Sequence, residues 1–533
     1  MAHFDAPAPL LPVLIDRQSR WLGDKTALIC DDVRWSWREF GARLRGFAAA
    51  LVAEGIEPGD RVVVVMSNGP EMIEAMFGAL RAGACVVPLN VSVPPTAMAA
   101  MITDSGASAV IVTEEHRDRI TPSQHPEVRL WLSAEGQART ATSLPAPWRP
   151  YAAWLSRPIE PQHVDRIAQL EIAPDSLCNI IYSSGTTGIP KGITHDHRRR
   201  VDWAHSIALA LRYDSRAITL CPIGLYSNIS WVSMLSTFVV GGTLVIERQF
   251  DPAAVLCSIA THRVTHGSLV PIIVQRLLEA PEFATAELSS LRALMCCGSP
   301  LPPPIKHRAL HEFGCAFIEL YGLTEGVITT LDPEDAPGRE SSVGKPLPGT
   351  DLLLLDEQDR PVAQGDSGEI VARGHITMVG YYNRPDANAE SSWRDPNGQL
   401  WLRTGDVGRL DAQGFLYIVD RKKDMIISGG QNVYPADIEA VAATHPQVAE
   451  IAVIGIKSRK WGETPYAVVV PRDATGDLER LATELRDWIN SRVGKQQRIA
   501  GVAITGDLPR NPNGKILKRE LRKTYASLES LVA

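Results

Sequence analysis

Residues 181–192 read Ile-Tyr-Ser-Ser-Gly-Thr-Thr-Gly-Ile-Pro-Lys-Gly. Ile181 and Tyr182 end a strand-like run. Ser183, Ser184, Gly185, Thr186, Thr187 and Gly188 then precede Lys191. Small hydroxylated residues and glycines let backbone N–H groups approach phosphate oxygens closely. The lysine adds a mobile positive charge. The chemistry on offer is the holding of a polyphosphate. The stretch is not a Walker loop, because Gly192 stands after Lys191 where Ser or Thr is required. A flexible surface linker is disfavoured by the Pro-Lys-Gly stop that follows a β-like run.

Further groups lie downstream. Glu319-Leu-Tyr-Gly-Leu-Thr-Glu325 offers a ring to stack on a planar base, a hydroxyl for a phosphoryl oxygen and a carboxylate for Mg²⁺. Arg403-Thr-Gly-Asp406 puts a carboxylate behind a tight turn, an acceptor suited to the two hydroxyls of a ribose. Residues 420–435 combine a charged turn, Asp-Arg-Lys-Lys-Asp, with the glycine loop Ser428-Gly429-Gly430. Near the end, Pro509-Arg-Asn-Pro-Asn-Gly-Lys515 presents one lysine after two prolines and a glycine. Each group alone would be an ordinary surface turn. Their order and separation make coincidence remote.

These loops need elements to carry them. Strand-like runs such as Arg61–Val65, Ala109–Val112, Ile218–Pro222 and Thr243–Ile246 alternate with amphipathic stretches through the first 330 or so residues. That rhythm implies βαβ units and parallel sheets covered by helices. From about Val343 to Asp420 short strands punctuated by Gly, Pro and Asp suggest a small antiparallel barrel or sheet. Residues 421–533 read as a compact α+β piece, with a helix from Leu478 to Val493. The expected division is therefore 1–420, with subdomains of about 1–165, 166–340 and 341–420, followed by 421–533.

Composition sets outer bounds. At 533 residues more than one core is expected. The 45% hydrophobic and 22% charged fractions are those of a globular protein. No uncharged apolar run reaches the ~18 residues of a membrane span, and the first residues lack the basic start of a signal peptide. Eight scattered cysteines without a Cys-x-x-Cys pair favour reduced, buried thiols and a cytoplasmic setting. The net charge of −7 argues against nucleic acid as the main partner. From Arg421 onward there are 18 Lys/Arg against 13 Asp/Glu, which leaves −12 on the preceding residues. A basic piece following an acidic body suits a polyanionic ligand.

Taken together, the five ordered motifs resemble those of the adenylate-forming superfamily: acyl-CoA synthetases, stand-alone adenylation domains and firefly-type luciferases. The resemblance covers nearly the whole chain. It implies an α/β fold, with a large N-terminal domain of two α/β subdomains and a small barrel. A smaller mobile α+β domain, hinged near Lys423, would follow. It also implies a reaction in which a carboxylate attacks the α-phosphate of Mg-ATP, giving acyl-AMP and pyrophosphate, after which CoA displaces AMP. ATP, Mg²⁺ and CoA would be the cofactors, a carboxylic acid the small-molecule partner, and a homodimer the candidate assembly.

By the same resemblance, Ser183 to Lys191 would grip the β- and γ-phosphates. Thr324 would contact the α-phosphate and Glu325 would hold Mg²⁺. Gly298-Ser299-Pro300 and Glu319-Leu320-Tyr321-Gly322 would form the adenine pocket, with Tyr321 against the base. Asp406 and Arg421 would bind ribose. Lys515 would bridge the carboxylate and the α-phosphate. Ser428, Gly429 and Gly430 would enter for thioester formation, where side chains would block the pantetheine arm.

The acid itself is less clearly written. Ile223-Gly-Leu-Tyr-Ser-Asn-Ile-Ser-Trp231 carries no acidic residue to hold an amino-acid ammonium, and burying one unpaired is costly. A simple carboxylic acid is therefore expected. Leu225 and Tyr226 stand where many relatives have a gating His, with Tyr226 or Trp231 as its replacement, and Leu320 stands where many have Gly. Tyr226, Trp231, Met295, Cys296 and Val327 are the expected pocket lining. No Arg or Lys is evident among them, which disfavours dicarboxylates. A medium-chain, aryl or alicyclic acid suits such a pocket. The rival readings are loading of a carrier-protein thiol, luciferase-like oxygenation, and an inactive ATP-binding scaffold. No role is assigned to His195 or His197.

Overall fold

The protein is described here by a computed structural model covering residues 8–135, 144–183, 190–428, 431–510 and 514–530. Ser184, Gly185, Thr186, Thr187, Gly188, Gly429 and Gly430 lie outside the described residues, as does the side chain of Ser183. Two compact units separate. One comprises Met1–Glu340, Pro346–Thr350 and Arg373–Ser392. The other comprises Ser341–Lys345, Asp351–Ala372 and Trp393–Ala533.

The first unit holds two sheets. In one, the order of neighbouring strands is Gly380–Tyr381, Lys191–Asp196, Leu177–Ser183, Cys85–Pro88, Arg61–Val65, Ala107–Thr113, Leu130–Ala134 and Arg149–Pro150. In the other it runs Ile328–Leu331, Ala316–Gly322, Ala293–Cys296, His266–Leu269, Ile218–Cys221, Thr243–Ile246, Thr26–Cys30 and Val33–Ser36. The centres of both sheets are parallel, as the strand–helix rhythm implies.

The expected boundary at residue 165 does not separate the sheets. Thr26–Cys30 crosses to the second sheet and pairs in parallel with Thr243–Ile246, Leu28 opposite Leu244. Leu177–Ser183 and Lys191–Asp196 instead complete the first. Hydrophobic patterning identifies a strand, but a strand's partner is chosen by the surface it must cover, which local pattern does not encode.

One core serves both sheets. Val62, Val64, Val86 and Ile111 contribute to it from the first, and Leu28, Leu244 and Ile318 from the second. Its centre is a chain of aromatic rings. Phe238 meets Phe40 at 5.1 Å, Phe77 at 5.0 Å and Trp37 at 6.0 Å, and Phe77 stacks on Trp231 at 6.4 Å. These rings join the helices Trp37–Ala53, Pro70–Arg81 and Asn228–Val240. The first helix begins at a capping box in which Ser36 and Glu39 satisfy each other's backbone N–H groups. The third begins at Ser227, whose hydroxyl accepts from the Ile229 N–H.

The second unit contains a sheet ordered Thr350–Leu355, Ser367–Gly374, Leu400–Leu410 and Ser392–Arg394, with Leu416–Arg421 also paired to Leu400–Leu410. Among the described residues no pairing closes these five strands into the small barrel expected from the short strands. A second sheet is built on the long hairpin Val448–Ser458 and Gly462–Pro471, packed against the helices Pro435–Ala442 and Leu478–Asn490.

Phe238 stands at the crossing of the aromatic chain. Phe238→Ala should cost about 3–5 kcal/mol, the usual loss for a buried phenylalanine. Denaturant unfolding followed by tryptophan fluorescence should show an earlier midpoint for the first unit. An unmoved midpoint would mean that these rings are not central to the core.

Candidate active site

The residues on either side of the expected phosphate loop form a hairpin. Leu177–Ser183 and Lys191–Asp196 run antiparallel, with Tyr182 opposite Gly192 and Ser183 opposite Lys191. The ladder thus runs up to Ser183 and Lys191, the strand ends that flank residues 184–189 in the chain. A Cβ at Gly192 would stand 2.7 Å from Ile180 Cγ2 and 3.2 Å from the Tyr182 ring, so these two side chains already fill the space that a side chain there would need.

Lys191, Tyr381 and Glu325 come together. The Lys191 ammonium lies 4.9 Å from the centre of the Tyr381 ring. The Tyr381 hydroxyl donates to Glu325 Oε1 at 2.9 Å. Gly380–Tyr381 is itself a short strand on the outer side of the hairpin, Tyr381 opposite Ile193. Sequence reasoning missed Tyr381. The available signal was Gly380-Tyr-Tyr-Asn-Arg-Pro385, a glycine and two aromatics before a turn. Burial and the Glu325 carboxylate push the Tyr381 phenol well up, so it stays a neutral donor.

The Glu325 turn is pinned from below. The Met378 N–H donates to the Glu325 carbonyl at 2.8 Å. Gly326 has φ +98°, and a Cβ there would stand 2.1 Å from the Ile376 carbonyl oxygen. The turn can approach the Ile376–Thr377 backbone only with glycine in this left-handed conformation. His195, assigned no role from sequence, is fully buried and its ring faces the Thr324 backbone. Burial, with Arg200 nearby, holds it neutral.

Glu325 fits a Mg²⁺ site of limited kind. Among the described residues no group of three or more His, Cys, Asp or Glu side chains could hold a metal. A hard cation here would rest on the Glu325 carboxylate and on oxygens of its phosphate ligand, which is how Mg²⁺ is ordinarily held beside nucleotides.

The other expected nucleotide residues divide. Gly298, Ser299 and Pro300 follow the strand Ala293–Cys296. Glu319 to Gly322 end the neighbouring strand, Ala316–Gly322, and Tyr321 is partly exposed. The Glu319 carboxylate forms a buried ion pair with Lys306, whose ammonium also donates to the Glu340 carbonyl. Its side chain is thus engaged within the fold. Burial raises its pKa while Lys306 opposes the rise.

In the second unit, Asp406 and Arg421 are paired in register across adjacent strands, and Arg421 Nε lies 3.1 Å from Asp406 Oδ1. The Lys422 N–H closes on the Gly405 carbonyl at 2.9 Å. Lys423 sits in the turn that follows, where the Asp424 N–H donates to the Arg421 carbonyl at 2.9 Å. Lys515 shares this neighbourhood. Its turn is anchored by Leu517 N–H donating to Pro509 O at 2.7 Å and by an Arg510–Glu450 ion pair at 2.7 Å. Desolvation first, then the positive charge of Arg421 and Lys423, brings the Lys515 ammonium down to about 7, against the pull of Asp406 and Asp424. Ser428 is buried and ends the strand Ile426–Ser428.

The expected acyl-pocket residues are not all on one surface. Trp231, Met295 and Leu320 are buried in the shared core, with Tyr226 packed against it. Cys296 belongs to a different cluster with Leu220, Val270 and Phe317. Consecutive strand residues point to opposite faces, so Met295 and Cys296 cannot line one pocket, and Cys296 is a core thiol. Val327 is buried behind the Glu325 turn, its carbonyl accepting from Leu323 N–H at 3.0 Å. Sequence reasoning also missed Arg200, which lies 4.9 Å from the centre of the Trp231 ring.

Residues 15–382 match the model of the AMP-binding enzyme family, and residues 437–515 match that family's C-terminal domain. The chain belongs to the AMP-binding enzyme family. It is 35% identical over 517 residues to a feruloyl-CoA synthase of Amycolatopsis sp, covering 96% of this chain and 98% of that one. It is 33% identical over 506 residues to a long-chain-fatty-acid–CoA ligase of Mycobacterium tuberculosis, covering 93% and 94%. Among solved structures, the o-succinylbenzoate CoA synthetase of Bacillus subtilis in complex with its acyl-adenylate intermediate superposes with a TM-score of 0.80. That match has 29% identity and covers 96% of this chain and 97% of that one. Within its family, the chain is an AMP-forming acid–thiol ligase. Among the described residues no helix is long and apolar enough to cross a membrane.

Tyr381→Phe removes only the hydroxyl on Glu325. It should raise the Mg²⁺ concentration needed for half-maximal activity and lower kcat/KM for MgATP by about tenfold, the equivalent of one charge-assisted hydrogen bond. A Mg²⁺ titration of pyrophosphate release checks this. An unchanged curve would show that the hydroxyl does not position the carboxylate.

Proposed function

We propose that this enzyme activates a hydrophobic carboxylic acid with Mg-ATP to an acyl-AMP and then transfers the acyl group to CoA. The observation that supports the chemistry most directly is the setting of Lys515. A carboxylate and an α-phosphate repel each other, and positive charge must gather where the pentavalent phosphorus develops. Lys515 supplies that charge, with Asp406 and Arg421 holding the ribose hydroxyls. Lys191 steadies the departing pyrophosphate. Thr324 orients the α-phosphate, and Mg²⁺ on Glu325 neutralises the phosphate oxygens when bound. No general base is needed, because a carboxylic acid is already ionised near pH 7.

Three features favour the substrate class. The cluster around Tyr226, Trp231, Met295 and Leu320 is apolar. Three relatives are named for feruloyl, long-chain-fatty-acid and 2-succinylbenzoate substrates, all carboxylic acids with an apolar body. No acidic residue stands between Ile223 and Trp231 to bind an amine. The same relatives are CoA ligases, which favours CoA over a carrier-protein thiol. All eight cysteines are free, six of them buried, in keeping with a reducing, cytoplasmic setting. Residues 421–533 would move about Lys423 so that Gly429 and Gly430 admit the pantetheine arm in the second step.

Lys515→Ala should lower acyl-AMP formation by about 10²–10³, the usual loss of one such charge, while thioester formation from supplied acyl-AMP survives. Gly430→Leu should do the reverse. Equal losses in both half-reactions would contradict the division of roles. The pH profile gives a separate check. The protonated ammonium is the working form, and in the free enzyme it is lost as pH rises through about 7. The kcat/KM for ATP in the first half-reaction should therefore fall above about pH 7. Lys515→Arg, which cannot deprotonate, should flatten that limb at lower absolute rate.

A pyrophosphate-release screen over alkyl and aryl acids, with and without CoA, tests the whole reading. Pyrophosphate should appear with at least one acid, and a thioester only when CoA is present. No pyrophosphate from any acid would contradict it.

A further inference from the structure

Arg200 has no solvent exposure. It lies on the helix His197–Ala210, with its guanidinium carbon 5.0 Å from the centre of the Trp203 ring and 4.9 Å from that of Trp231. Its Nε donates to Asn179 Oδ1 at 2.6 Å and its Nη2 to Asn228 Oδ1 at 3.0 Å. Nη1 has no partner among the described residues, and neither has the buried indole Nε1 of Trp231. No described carboxylate lies within ion-pairing distance of Arg200. A buried cation without a counter-ion is costly, and a spare buried donor adds to that cost.

Structural needs account for only part of this. Arg200 ties Asn179, on the strand leading into the phosphate loop, to Asn228, at the start of the helix that carries Trp231. A neutral amide could make both bonds. The positive charge and the two unmatched donors, on stacked groups, are left over. Both donors call for an acceptor, and the charge calls for an electron-rich one. Asn228, which accepts from Arg200, is partly exposed, so this place is bordered by a residue that solvent or a ligand can reach.

We propose that Arg200 and Trp231 form an acceptor subsite at the inner end of the acyl pocket, which takes an oxygen, phenolic or carboxylate, at the end of the substrate far from the activated carboxylate. This rests on the acid-activating reading above and narrows it. It also removes the ground for disfavouring dicarboxylates, since a cation does adjoin the pocket residue Trp231. Arg200 determines specificity and takes no part in bond making. Burial brings its ionisation down only to about 10, so it remains cationic near neutral pH.

The test uses matched acids that differ only in the distal group: 3-phenylpropanoate with its 4-hydroxy and 4-carboxy analogues, and alkanoates of six to sixteen carbons with the corresponding dioates. Pyrophosphate release by the full-length enzyme gives kcat/KM for each. The oxygenated member of at least one set should be preferred by about 100-fold or more, because a site built around buried donors rejects the analogue that leaves them unpaired. In Arg200→Met the preference should fall to within about threefold, chiefly through KM for the acid. Thermal melting establishes that the variant is folded, and Arg200→Gln replaces it if it is not. Equal turnover within every set by wild type, or a preference unchanged in the folded variant, would overturn the subsite alone. No pyrophosphate from any acid would remove the ligase reading and the subsite with it.

Discussion

A loop of small residues can hold a polyphosphate only if its two ends are fixed, and here one antiparallel register fixes them. Ser183 opposite Lys191 closes the ladder below the loop. The same strand pairs on its other side with Gly380–Tyr381 and so carries the Tyr381 ring to Lys191 and its hydroxyl to Glu325. The carboxylate that would hold Mg²⁺ is thus referred to the phosphate loop through one aromatic side chain. Any slip of a residue in this hairpin would turn every alternate side chain to the wrong face.

The rest of the first unit serves that register. The hairpin lies in the sheet whose parallel centre is Cys85–Pro88, Arg61–Val65 and Ala107–Thr113, buried but for Arg61. The shared core then ties this sheet to the one that ends in the Glu319–Gly322 segment. Loops at the ends of parallel strands are where an α/β fold exposes backbone for ligands. The second unit holds its own group of charges, Asp406, Arg421 and Lys515, in which burial and the neighbouring cations bring the lysine down to about 7.

Much of this was legible in the sequence. The strand–helix rhythm, the α/β class and the five motifs rest on local patterns, and local patterns are what a sequence displays. Strand exchange between the sheets was not legible, because Thr26–Cys30 looks the same whichever neighbour it takes. The opposite facing of Met295 and Cys296 depends on which side of the strand meets which core. Tyr381 lies 56 residues from Glu325 and its role arises only from sheet pairing. Arg200 reads as one of three successive arginines on a surface helix, yet Arg199 pairs with Asp196 while Arg200 turns inward between two indoles.

In the proposed reaction a carboxylate cleaves ATP between its α- and β-phosphates, in a step separable from thiol transfer. Single-turnover quench with ATP labelled at the α-phosphate, using an accepted acid and excess enzyme, tests this directly. The account predicts an enzyme-bound acyl-AMP that persists without CoA and is discharged to AMP and acyl-CoA when CoA is added. Release of ADP, or AMP formed at the same rate without any acid, would contradict it.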